Sequence, residues 1–130
     1  MRRLWAIGIV ALTGCGATHL DPPDPRCSDP GAMVRVAGGG AGPPISECVR
    51  RSTSDSDLQN VGFAVTRAAD RLANRGAGRP LGFLIGAVRR GTGTSGVQAE
   101  LVNRVEGVAR RIQAQDAAIE QGIADGEAHG

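Results

Sequence analysis

Ser54 to Leu72, "SDSDLQNVGFAVTRAADRL", decides how the rest of the chain is read. Leu58, Val61, Val65, Ala68 and Leu72 recur at spacings of three and four, which is the pattern of one apolar stripe on an α-helix. Ser54 and Asp57 resemble a capping box, with Asp in place of the preferred Glu or Gln. Asp55 and Asp57 suit the positive end of the helix dipole, and Asn74 to Gly78, "NRGAG", supplies a stop.

Working outward towards the C-terminus, Thr94 to Gly126 carries the longest periodic pattern, with Leu101, Val105, Val108, Ile112, Ile119 and Ile123 on one stripe. Ser95 and Gln98 offer a second capping box. Glu100 with Arg104 and Glu106 with Arg110 are favourable i,i+4 pairs. Gln115 and Asp116 interrupt the stripe, Gly107 and Gly122 weaken the helix, and residues beyond about Gly122 are expected to fray. Between the two periodic segments, "PLGFLIGAVRR" from Pro80 to Arg90 suits either a helix or a buried strand. Pro80 near its start and Gly91 after it tip the reading to helix. Leu, Ile, Val and Phe make up only 23 of the 116 residues after position 14, so the core is small. The expected fold is mainly α: a helical hairpin or three-helix bundle, completed by a protein partner or a second copy through its helices.

The N-terminal part reads differently. Arg2 and Arg3 precede an apolar run from Leu4 to Leu12, "LWAIGIVAL", and small residues follow it. This is the pattern of a secretory signal. As a helix the run reaches about 14 Å, against about 30 Å of bilayer hydrocarbon, so a spanning helix is not expected. Leu12-Thr13-Gly14-Cys15 resembles the lipobox of bacterial lipoproteins. The resemblance covers residues 1–16 and implies cleavage before Cys15, joining of its thiol to diacylglycerol, and attachment to a membrane. Several acyl chains convert reversible adhesion into a firm anchor. Gly16 stands where Asp favours inner-membrane retention in the Gram-negative pattern, so the implied address there is the outer membrane, facing the periplasm.

Charge and cysteines agree with export. Without Arg2 and Arg3, 13 arginines balance 13 acidic residues, and nothing demands a nucleic-acid partner. Cys27 and Cys48 are then an even pair in an oxidising compartment and are expected to form a disulfide. Residues 15–30 read as the lipidated cysteine and a Pro-rich tether. Residues 31–52 read as a loop-rich segment with one strand-like piece, "MVRV". Residues 53–126 read as the helical module, and residues 127–130 as a disordered tail.

Chemistry-bearing motifs are few. With no lysine there is no Walker-type loop and no Schiff base. Gly91 to Gly96, "GTGTSG", has the letters of a dinucleotide fingerprint, with Asp116 at a suitable distance, but the helical pattern around it makes it an interhelical turn. His19 and His129 stand near opposite ends of the chain and supply neither a metal site with the cysteines nor a positioned base. No catalytic residue, cofactor or metal is therefore expected. Gly82 and Gly86, four apart, resemble a glycine zipper but read as a chance small face, and Gly78 as lying outside any helix. Arg67, Arg71 and Arg75 form a stripe that either meets an acidic or phosphate-bearing partner or complements the helix C-terminus.

The expected function is thus a non-enzymatic envelope lipoprotein that acts as a structural or protein-interaction module. Two other readings stand beside it. The chain resembles, in a general way, the outer-membrane lipoprotein subunit of a phage lysis spanin, which is also small and carries Pro-rich segments. A carrier of a small apolar ligand would rest on Leu81 to Val88.

Overall fold

The computed structural model describes residue 21 and residues 23–93 and 96–130. Among them are six α-helices and no strand: α1 (Pro30–Ala37), α2 (Ile45–Arg51), α3 (Asp55–Asn74), α4 (Gly78–Gly91), α5 (Gly96–Ala109) and α6 (Asp116–His129). Two 3-10 segments, Pro25–Ser28 and Arg110–Gln115, precede α1 and link α5 to α6. Residues 1–14, Cys15 and Ser95 lie outside the described residues. No described helix is long and apolar enough to cross a membrane.

Helix α3 begins and ends where its sequence signals put it. The Ser54 hydroxyl accepts from the Asp57 amide at 3.1 Å and donates to the Asp57 carboxylate at 2.6 Å. Asp57 thus returns the contact to the hydroxyl of the capping serine. At the other end Gly76 takes φ +64°, the Ala77 amide donates to Leu72 O and the Gly76 amide to Ala73 O. These are the two bonds of a Schellman stop, and they need a residue that tolerates the left-handed region. Val61, Val65, Ala68 and Leu72 are buried, as their spacing demands.

The region 31–52 departs from the expected loop and strand. "MVRV" lies inside α1, and Ile45 to Arg51 forms α2. The Asp29 side chain accepts from the Gly31 amide at 2.9 Å, with Pro30 in the first turn. Asp-Pro is a helix start in which the proline sacrifices an amide that has no partner there anyway. It outweighs the β-propensity of two valines. Cys27 and Cys48 form the expected disulfide, and both are buried in the core. The expected tether therefore stops short of Cys27.

A 3-10 turn carries Cys27 inward. Asp24 caps it, accepting from the Arg26 amide at 2.9 Å and pairing with the Arg26 guanidinium at 2.7 Å. The side-chain bond to Arg26, then the bond from its amide, lower the Asp24 carboxyl to about 2. A lowered folded-state value means that the contact stabilises above the ordinary carboxylate range, near 4, and is lost as pH falls through about 2. We expect the Asp24 carbon resonance to titrate near pH 2, and Arg26→Ala to return its midpoint towards the ordinary value. An unchanged midpoint in the variant would refute the assignment.

Helix α4 settles the ambiguity at Pro80 to Arg90: it is a helix, with Leu81, Leu84, Ile85 and Val88 fully buried. The expected long helix from Thr94 is instead two. Ile112, at φ −125° and ψ 45°, breaks the helical path, and α6 starts at Asp116, where the stripe is interrupted. Glu106 meets Arg89 at 2.6 Å. Glu100 and Arg104 pair at 3.9 Å, as their spacing suggests.

The glycines explain the turn back. A Cβ on Gly82 would stand 3.0 Å from Gly122 Cα, and one on Gly86 would stand 3.0 Å from Gly126 Cα and 2.8 Å from the Glu127 amide nitrogen. Both contacts advance together along the chain, so α4 and α6 run parallel with their backbones touching. The small face at Gly82 and Gly86 is a packing surface, not a chance one, and Gly122 belongs to it. Gly78, the first residue of α4, is buried, and its amide donates to Gln115 Oε1 at 2.9 Å. It too lies inside the helical body.

The expected frayed end and tail at 127–130 are likewise corrected. Helix α6 continues to His129, Gly130 is buried, Ser46 Oγ donates to Gly130 O, and Arg90 donates to Glu127 O and Ala128 O. These bonds take up carbonyls that the last turn cannot satisfy itself. Near the same place, a Cβ on Gly91 would stand 2.9 Å from Ser46 Cα, so α4 ends against α2.

Candidate interaction surface

Helix α4 lies at the centre, packed against α2, α3, α5 and α6, while α3 and α5 pack on each other along one side. Gly62 on α3 faces Leu101 on α5: a Cβ there would lie 3.9 Å from Leu101 Cδ1. Farther along, Arg111 beyond α5 pairs with Asp70 on α3 at 2.5 Å. The two contacts progress in the same direction, so α3 and α5 run parallel.

Their junction leaves a groove of about 550 Å³. Its floor holds Gly62 and Leu101, and its apolar wall holds Leu58 and Phe63. Phe63 is 59% exposed and is the one large apolar side chain so exposed among the described residues. The Arg67 guanidinium lies over its ring, 5.5 Å from the centroid. A cation placed over an aromatic face at an exposed site is favoured by about 0.5–1 kcal/mol, and the ring remains exposed. Thr66 donates its hydroxyl to the Gly62 carbonyl at 2.8 Å, so the polar atom on this wall is turned back onto the helix.

Charge in the groove is balanced. Asp55 and Glu100 supply two negative side chains, Arg67 and Arg104 two positive ones. The groove thus offers apolar contact and charges of both signs.

The arginine stripe separates on folding. Arg67 joins the groove. Arg71 reaches over the start of α1, its Nη1 lying 3.9 Å from where a Cβ on Gly31 would stand. Arg75 is the C-cap of α3. All three are exposed, but only Arg67 lines the groove. The sequence places Leu101 on an apolar stripe and Arg104 in an ion pair with Glu100, but it does not single out Phe63, for a simple reason. Phe63 sits two residues from Val61 and Val65, off the apolar stripe. That off-stripe position was the available signal.

Elsewhere Arg89 bridges Glu106 at 2.6 Å and Glu127 at 3.1 Å, tying α4 to α5 and α6. The Glu106 bond raises the guanidinium above its ordinary pKa, against burial, with Glu127 adding to it. This is structural. Among the described residues no three His, Cys, Asp or Glu side chains are placed to hold a metal ion. "GTGTSG" begins at the buried end of α4 and runs to the first residue of α5, and Asp116 opens α6.

The described residues form a small, mainly α, disulfide-tied bundle with a groove beside an exposed aromatic ring. No protein-family model, no curated protein and no solved structure matches the chain.

Proposed function

We propose that the chain is a membrane-anchored envelope lipoprotein whose helical body is a non-enzymatic protein-interaction module, and that it binds through the α3–α5 groove. The observation that carries this reading is Phe63: a large apolar side chain held at the surface, beside a groove, under an arginine. Exposed aromatics and arginines are the residues from which binding energy is most often drawn. The lipobox resemblance at Leu12 to Cys15 and the Cys27–Cys48 disulfide support an exported, lipid-held address. The apolar segment Leu81 to Val88 is filled by core packing, so no observation favours a ligand carrier.

Two measurements test it. The intact mass of the membrane-extracted protein should lack residues 1–14 and carry acyl chains, and both features should vanish in Cys15→Ala. A photoreactive residue at position 63, in intact cells, should give defined protein adducts, while one at exposed Glu120 on α6 should not. Equal labelling from both positions would overturn the groove as the binding surface, and an unlipidated, uncleaved chain would overturn the address.

A further inference from the structure

The groove's charges are not only balanced but sorted. Asp55 stands at the start of α3 and Arg67 twelve residues on, about 18 Å away along the helix. On α5, which runs parallel, Glu100 comes before Arg104. Both walls are therefore negative first and positive after. Asp55, Gln59, Phe63 and Arg67 follow one another at four-residue steps on one face of α3, and all line the groove. Gln59 and Phe63 flank the midpoint of the charged span. A surface with no net charge but a charge gradient along its length is a poor match for a uniformly acidic or basic partner. It is complementary to itself when one copy is turned end over end.

The geometry points to a second copy of this chain as the occupant of the groove. Two α3–α5 faces meet about a two-fold axis midway between Gln59 and Phe63, with Asp55 of each copy against Arg67 of the other. Such an isologous contact uses every pair twice. Each Phe63 ring, 59% exposed in the single chain, enters the other copy's open groove opposite its Gln59, displaced about 6 Å along the helix from the other Phe63. Aromatic pairs of this kind favour offset or edge-to-face packing. The Glu100–Arg104 pair, already 3.9 Å apart within one copy, stays at the rim. This inference rests on the groove being an interaction surface and names its partner.

Charge exchange tests it, because a two-fold contact makes a prediction that a contact with another protein does not. Two differently tagged full-length copies are co-expressed and extracted in detergent, and their co-purification is measured. Wild-type copies should associate. Arg67→Glu alone sets Asp55 against Glu twice, and Asp55→Arg alone sets Arg against Arg67 twice. Each variant should lose self-association by roughly tenfold or more. An Asp55→Arg copy with an Arg67→Glu copy has opposite charges at both contacts, one with reversed sign and one as in the wild type, and should recover it. Circular dichroism confirms that each variant keeps its helices. Wild-type copies that do not associate, or folded variants whose mixture fails to recover association, would overturn the inference. Photo-adducts from position 63 with other proteins, alongside monomeric wild-type copies, would overturn the second copy as occupant while leaving the interaction surface standing.

Discussion

Gly86→Ala will destabilise this protein by about 3 kcal/mol, lowering its melting temperature by roughly 10–15 °C, whereas Gly107→Ala will raise it. Both positions are helical glycines, and alanine has the better intrinsic propensity by about 0.5–1 kcal/mol. At Gly107 nothing lies within 4 Å of the added Cβ, so that gain is realised. At Gly86 the added carbon would meet the Ile123 carbonyl, with the Glu127 amide nitrogen 2.8 Å away and Gly126 Cα 3.0 Å away. These are backbone atoms, and a side chain cannot swing aside to make room. The α4–α6 pair must separate, and with it Ile119 loses its burial and Arg89 and Arg90 their bonds to α6. Thermal melts of the two variants beside wild type decide the matter. Equal, small stabilisation at both positions would mean that the two helices do not touch through their glycines.

Cys27→Ala with Cys48→Ala will cost about 3 kcal/mol, the entropy of leaving a loop of this length open in the unfolded chain. The two cysteines are 21 residues apart, and each is at most 2% exposed. The double variant avoids a buried, unpaired thiol. The bridge joins the 3-10 turn at Pro25–Ser28 to α2, while α1 packs on α3 and α2 on α4. Residues 24–51 are therefore part of the same core, and a urea melt should show one transition with a lower midpoint. A loss under about 1 kcal/mol, or an early separate transition, would mean that this segment opens independently of α3 to α6. Because both sulfurs are buried, reductant alone should act slowly on the folded protein.

Much of this architecture was legible in the residues, and the pattern of what was not is instructive. The start, stripe and stop of α3 depend on neighbours three or four positions apart, and a helix sets those neighbours by itself. Ser54, Leu58 to Leu72 and Gly76 could therefore be read directly. The disulfide followed from an even cysteine pair. "MVRV" misled because two valines carry a strand propensity that the Asp29-Pro30 start, one residue pair upstream, overrides. The tail misled because Gly122 and Gly126 are poor helix formers when taken alone.

Sequence by itself determined a helical, cysteine-paired chain with a small core, because propensity, capping and composition act over a few residues. Tertiary structure alone decided the rest. Glycine at 82, 86, 122 and 126 weakens each helix separately and becomes an asset only when two backbones meet, since the missing Cβ is useful only where another chain segment fills its place. Phe63 is likewise an unremarked residue off the stripe until α5 lies beside α3 and makes a groove of it. Contacts between residues forty positions apart obey no period that a local reading can find.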